Sequence, residues 1–159
     1  RRNLTNYGRQ IRQTVKQWTG IPVSIGIAET KTLAKLANRV AKRTPDTGGV
    51  CDLLACSDRD ALLGRIPVAD VWGIGRNHAH MLTQQGITTA LQLRHADDQW
   101  IRKRMGIVVL RLVLELRGVS CLDLDQCPAP KQSLTCSRAF GTIIHTLAEM
   151  GEAVSVYTT

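Results

Sequence analysis

Residues 24–42 read Ser24-Ile25-Gly26-Ile27-Ala28-Glu29-Thr30-Lys31-Thr32-Leu33-Ala34-Lys35-Leu36-Ala37-Asn38-Arg39-Val40-Ala41-Lys42, and this stretch decides the fold. Its first part continues an alternation in which Ile21, Val23, Ile25 and Ile27 are bulky while Pro22, Ser24, Gly26 and Ala28 are small. Period-two alternation predicts a strand over 21–28, with one face that another element can approach closely. Thr30 then has the short polar side chain of an N-cap, and Leu33, Leu36, Ala37 and Val40 recur at helical spacing, predicting a helix to about Lys42. At about 100° per residue, Lys31, Lys35, Asn38 and Lys42 fall within about 60° of one another on the opposite face, with Arg39 beside them. Solvated helix faces usually interleave Glu with Lys, yet the nearest acid is Glu29, before the helix. Such a cationic stripe suits phosphate.

On the N-terminal side, Leu4, Tyr7, Ile11, Val15 and Trp18 recur at helical spacing, and Gly20 with Pro22 supplies the stop, predicting an amphipathic helix over 5–19. On the C-terminal side, Pro45 to Gly49 is a loop and Val50 to Leu54 a short edge strand. Ser57 or Asp58 caps a helix through Leu63, and Asp97 caps one containing Ile101 and Met105 that ends at Gly106. Val109, Leu112, Val113 and Leu116 mark a strongly apolar helix closed by Gly118. From Leu122 to Lys131 there is no periodicity, which predicts a linker, and Ser133 to Phe140 opens another strand.

The whole chain of 159 residues is 43% hydrophobic, enough to bury a core, which excludes wholesale disorder and fibrous classes. No run approaches the ~20 apolar residues of a membrane span, and the start leads into no secretory apolar region. Net charge is +8, and the surplus is local: residues 1–55 hold ten Lys/Arg against three acids, 56–128 nine against eight, and 129–159 two against two. An excess confined to the first third points to a polyanion, most simply nucleic acid or a nucleoside triphosphate. Cys51, Cys56, Cys121, Cys127 and Cys136 are odd in number and form no Cys-x-x-Cys pair, which fits a reducing, cytoplasmic compartment. His78 and His80 are two apart on a predicted helix, a spacing that does not stack them as metal ligands.

Val71-Trp72-Gly73-Ile74-Gly75-Arg76 lies between helical patterns, and the second helix, with Ala79 and Leu82, is closed by Gly86 and Ile87. This pattern is that of a helix-hairpin-helix. Glycines allow a tight turn and leave bare N–H groups at a helix N-terminus, where an anion is favoured. Gly73, Ile74, Gly75 and Arg76 are therefore expected to hold a DNA phosphate without reading sequence. No catalytic carboxylate cluster is expected: Asp97 reads as an N-cap, and Asp123 and Asp125 as solvated loop acids.

The order of these elements resembles the Y-family translesion DNA polymerases, with the closest likeness to the bacterial UmuC type. The likeness runs through Ser24 to Asn38, Ala41-Lys42, Gly48-Gly49, the 71–76 hairpin and Glu115-Leu116-Arg117-Gly118. It implies an α+β, mostly α fold: residues 1–55 as the C-terminal part of a polymerase palm, 56–128 as a small helical thumb with the helix-hairpin-helix, and 129–159 as linker and start of the little finger. It implies a fragment, because the family's metal-binding aspartates precede the segment that begins here, and so a chain that catalyses nothing alone.

By the same resemblance, Lys42 matches the lysine that contacts the incoming nucleotide's triphosphate, and Lys31 and Lys35 match lysines on the same helix, placed here among the DNA contacts. The intact enzyme is expected to be an error-prone, SOS-type DNA polymerase using Mg²⁺ held by ligands outside this chain. Its expected partners are damaged primer-template DNA, deoxynucleoside triphosphates, a UmuD-type accessory subunit, a RecA filament and a sliding clamp, in the bacterial cytoplasm and at the nucleoid when active. A non-catalytic helix-hairpin-helix DNA-binding module is the alternative. A DNA glycosylase or lyase is weakened by the lack of a Gly/Pro-rich loop before Asp97.

Overall fold

The computed structural model describes residues 3–122, 135, 137, 140, 141 and 143–158. The chain divides into two compact units, residues 1–124 and 125–159. The architecture is mostly helical with one small sheet.

In the first unit, helix α1 (Leu4–Thr19) begins at Asn3, whose side chain accepts from the Asn6 N–H at 3.1 Å, and ends at Gly20 with φ 72°. The helix starts one residue before the predicted 5–19 and ends where predicted, but the apolar stripe is not the packed face. Leu4, Tyr7, Ile11 and Trp18 are exposed, Trp18 by 80%, and Gly8 is the buried residue of the helix. The physical reason is close approach at Gly8: a Cβ there would meet Val50, Ile27 and Ile25 at 3.0–3.6 Å. With Gly8 toward the sheet, Thr5 donates to Asp52 at 3.0 Å and Arg12 to the Val23 carbonyl at 3.0 Å. These polar anchors rotate the stripe away from the strands.

Strand β1 (Ile25–Ile27) is shorter than the predicted 21–28, and Ile21 is exposed. It pairs in parallel with β2 (Val50–Asp52), Ile25 opposite Val50 and Ile27 opposite Asp52. Helix α2 (Lys31–Arg43) forms the crossover between them, capped by the Thr30 hydroxyl, which accepts from Leu33 N at 3.3 Å. The small face of β1 has its partner here. A Cβ on Gly26 would lie 2.2 Å from both the Ala34 carbonyl oxygen and the Asn38 nitrogen, so the α2 backbone rests directly on this glycine.

The rest of the unit is helical. Asp58 caps α3 (Arg59–Arg65), and a 3₁₀ turn at Val68–Asp70 leads into the glycine hairpin and α4 (Arg76–Gln84). Gly86 at φ 78° closes α4, with Ile87 N–H donating to the Leu82 carbonyl at 2.9 Å. Short helix α5 (Ala90–Arg94) was not predicted; its five residues are too few for a periodicity, although Thr89 and Gln92 form a capping box. Asp97 caps α6 (Asp98–Leu116) through Trp100 N–H at 2.7 Å, and Gly106, at φ 85° and ψ 178°, breaks it where the sequence predicts a helix end. One core joins Leu33, Leu36 and Ala37 of α2 to Leu63, Val71 and Leu82, and to Ile101, Val109, Leu112 and Leu116 of α6.

In the second unit, α7 (Leu147–Thr158) is opened by Glu149, which accepts from His145 and Thr146 N–H at 2.9 and 3.1 Å. The linker expected from Leu122 to Lys131, apart from Leu122 itself, with Asp123 and Asp125, and most of the strand expected at Ser133 to Phe140 lie outside the described residues. Among the described residues, no helix is long and apolar enough to cross a membrane.

Candidate nucleic-acid interface

The α2 cations divide into two sets. Arg39 and Arg43 both pair with Asp70 of the 3₁₀ turn, Arg43 at 2.5 Å, so they tie α2 to the segment before the hairpin. Asn38, expected on the stripe, donates instead to the Ser24 carbonyl at 2.6 Å and anchors the helix to the start of the strand. Lys35 and Lys42 remain exposed, and among the described residues neither makes an ion pair. Lys31, at the first turn, stacks its ammonium over the Trp72 ring, 5.7 Å from the centroid. The stripe thus contracts to three lysines. Part of the local charge surplus is structural, because Arg12, Arg39 and Arg43 are all engaged in packing the unit.

The hairpin is built from positions with different duties. Gly73 has φ 89°, and a Cβ on it would meet Leu112 Cδ1 at 2.6 Å, so both its conformation and its packing require glycine. Ile74, expected among the DNA contacts, is buried at 7% exposure, and its N–H donates to the Val71 carbonyl at 3.0 Å. Its side chain pins the turn to the core and is not available as a contact. Gly75 differs from Gly73. Its φ is an ordinary −78°, and nothing lies within 4 Å of where a Cβ would sit. It is the N-cap of α4, makes no side-chain cap, and is followed by exposed Arg76. Neither φ nor packing requires glycine at 75, where a bare N-cap leaves the first N–H groups of α4 open.

Lys31 and Trp72 bring the start of α2 beside the hairpin. Lys42 is eleven residues further along the helix, about 16 Å at 1.5 Å per residue. The structure therefore does not gather Lys42 with Gly73, Gly75 and Arg76.

Glu115, which the sequence left without a site role, holds the unit together. It is fully buried at the end of α6, and its carboxylate accepts from Thr32 N–H at 2.7 Å, Cys121 N–H at 3.1 Å and Leu122 N–H at 2.9 Å. The Thr30 hydroxyl adds a bond to the Glu115 carbonyl at 2.9 Å. Burial pushes this carboxyl up, but the hydrogen bonds from Thr32, Cys121 and Leu122 together outweigh it and hold it below its ordinary 4.5. An anion is thereby fixed at the N-terminus of α2, and Lys31 is the first residue of that helix.

Most of the other described acids are similarly committed. Asp70 takes Arg39 and Arg43, Glu29 pairs with Arg59, Asp60 with Arg94, Asp98 with Arg117, and Asp58 and Asp97 cap helices. Among the described residues, no three His, Cys, Asp or Glu gather as a metal site requires. These carboxylates do not fit a Mg²⁺ pair. Burial pushes the Cys51 thiol up, the opposite of an activated nucleophile.

A parallel strand-helix-strand bearing lysines without ion pairs among the described residues is thus joined through one core to a glycine hairpin at a helix N-terminus. Residues 1–39 match the impB/mucB/samB family. The chain is 46% identical over 157 residues to Protein UmuC of Salmonella typhimurium (strain LT2), covering 98% of this chain and 37% of that protein. It is 34% identical over 125 residues to DNA polymerase IV of Halobacterium salinarum, covering 79% of this chain and 29% of that one. The crystal structure of DinB from Sulfolobus solfataricus superposes with a TM-score of 0.53 at 25% identity, over 70% of this chain and 31% of that one. The chain is thus a relative of the UmuC-type, Y-family proteins along nearly its whole length, and it spans little more than a third of UmuC.

Proposed function

We propose that this chain is the palm-to-thumb portion of an error-prone translesion DNA polymerase, binding DNA backbone and nucleotide phosphates and catalysing nothing alone. The observation that carries the reading is the pair of unpaired lysines, Lys35 and Lys42, on the helix that follows β1, in a chain with 46% identity to UmuC. Residues 1–55 act as the end of the palm, 56–128 as the thumb with its helix-hairpin-helix, and 129–159 as linker and start of the little finger. Lys42 offers its ammonium to the triphosphate of the incoming nucleotide. Lys35, about 10 Å up α2 from Lys42, and the Gly75 and Arg76 amides and Arg76 guanidinium at the start of α4 take backbone phosphates of the primer-template duplex. Gly73 and Ile74 serve by holding the turn. In this reading the intact enzyme's Mg²⁺ ions supply the nucleotidyl-transfer chemistry from ligands in the remainder of the protein, as do the surfaces for a UmuD-type subunit, RecA filament and sliding clamp.

The test is fluorescence anisotropy of a labelled primer-template duplex titrated with the 159-residue chain at increasing salt. With two cationic phosphate contacts, Arg76 and Lys35, affinity falls about tenfold between about 50 and 200 mM salt. Gly75→Ala lowers the thermal midpoint by no more than about 4 °C, because its Cβ meets nothing and only the N-cap preference of glycine over alanine is lost, yet it weakens duplex binding about tenfold by blocking charge-assisted bonds. The loss is the same on every duplex sequence. Salt-independent binding, or a Gly75→Ala chain that binds as well as the parent, refutes the interface. Primer extension by the chain alone with Mg²⁺ and nucleotides refutes its catalytic silence.

A further inference from the structure

The Trp72 and Lys31 pair sets a half-exposed indole and a cation without an ion pair among the described residues beside the hairpin. The indole is 42% exposed on the hairpin, although burial of so large an apolar surface is favourable. Lys31 is the first residue of α2, where a cation opposes the helix dipole and the buried Glu115 carboxylate supplies an anion in compensation. No ion pair to Lys31 is present among the described residues; the Trp72 ring is what it meets. Contact with a π face leaves the ammonium's three N–H donors able to reach an acceptor, and it restrains a side chain that is otherwise among the most mobile. The neighbouring amides cannot take a ligand in its place, since Thr32 N–H is used by Glu115 and Leu33 N–H by Thr30.

Trp72 directly precedes Gly73, and Gly73 is packed against Leu112, so the indole is carried on a turn fixed to the core. The pair is also the point at which α2 meets the hairpin. We propose that Trp72 and Lys31 form a further contact to the duplex backbone: the indole packs on a deoxyribose and holds Lys31 on the adjoining phosphate of the strand gripped at Gly75. This deepens the DNA-binding reading and rests on it. Trp72 is a binding residue for the sugar and a positioning residue for Lys31. The ligand is the sugar-phosphate backbone, so base identity does not enter.

The test is a double-mutant cycle in duplex affinity and salt slope, with the full chain and a labelled blunt duplex. Lys31→Ala weakens binding about threefold to tenfold and lowers the salt slope by about 1. Trp72→Ala lowers affinity and slope by similar amounts, although it removes no charge, because the lysine is released; a purely structural loss leaves the slope unchanged. The double variant is within about twofold of Trp72→Ala, and Trp72→Phe, which keeps a ring, recovers most of the slope. A second readout needs no change at the pair: in a Trp18→Phe, Trp100→Phe background, Trp72 emission shifts when duplex is added. Additive losses, an unchanged slope in Trp72→Ala, or emission indifferent to DNA overturn the contact, and if Gly75→Ala still weakens binding the broader reading survives. Failure of the parent chain to bind duplex at low salt overturns both.

Discussion

Glu115→Ala lowers the thermal midpoint of the first unit by roughly 10 °C. The carboxylate satisfies three backbone N–H groups, those of Thr32, Cys121 and Leu122, from two segments separated by more than 80 residues of chain. Alanine leaves all three without their acceptor, at about 1–3 kcal/mol for each that stays dry. Water admitted by the shortened side chain recovers part of this, so a net loss of about 3 kcal/mol is expected, and each kcal/mol moves the midpoint by about 3–4 °C at this size. Glu115→Gln falls between, since one acceptor oxygen is kept while an NH₂ replaces the other. The folded carboxyl is held below its ordinary value, so its contribution is fully present above the unfolded pKa and is lost as pH falls through the folded one. The parent chain therefore loses stability steeply as pH falls below about 4.5, and Glu115→Gln loses less over the same interval. Urea midpoints against pH for the two chains check this; parallel curves, or a Glu115→Ala chain as stable as the parent, remove the carboxylate from its assigned role.

Gly26→Ala is expected to cost as much from a single methyl group. Its Cβ would stand 2.2 Å from the Ala34 oxygen and the Asn38 nitrogen and 2.8 Å from the Ala37 carbonyl carbon. These are backbone atoms of a helix capped at Thr30 and pinned by Asn38 to Ser24, so no side-chain rotation relieves the clash. Separation of α2 from β1 by an ångström or more is required, and Leu33, Leu36 and Ala37 lose packing with it. Overpacking typically costs about 1–3 kcal/mol, and a backbone clash belongs at or above the top of that range. Expressed chain should be largely insoluble, or melt at least about 10 °C lower, whereas Gly75→Ala in parallel stays within about 4 °C of the parent. Equal midpoints for all three show that the close approach is not there.

The local punctuation of this fold is legible from residues close in sequence. Thr30, Asp58 and Asp97 each cap the helix they precede, Gly20, Gly86 and Gly118 all adopt positive φ at helix ends, and Gly106 breaks α6 where the pattern changes. These effects act within one turn, so a single sequence displays them. The small face of β1 was legible as an approach surface, but not that α2 would use it. Pairings over a long separation left no trace in periodicity. Asp70 answers to cations 27 and 31 residues earlier, and Glu115 to an amide 83 residues earlier. The cationic stripe was accordingly read with Arg39 and Asn38 as members, because spacing defines which residues share a face and not which of them acquire partners. The apolar stripe of α1 misled for a related reason: the residue that seats the helix is Gly8, which has no hydropathy to show.

That seating has a consequence for how the chain comes apart. Hydrogen-bonded turns protect backbone amides only as long as the segment stays closed, and the free energy of opening reflects the apolar surface a segment shares with its neighbours. Helix α1 shares little: Gly8 is its one buried residue, and its larger side chains face water. Helices α2 and α6 contribute Leu33, Leu36, Val109, Leu112 and Leu116 to the common core. The chain is thus layered in local stability, with α1 opening as its own cooperative segment while the strand-helix platform and the hairpin stay closed. Its amides exchange with solvent on a faster clock than those of the helices it precedes.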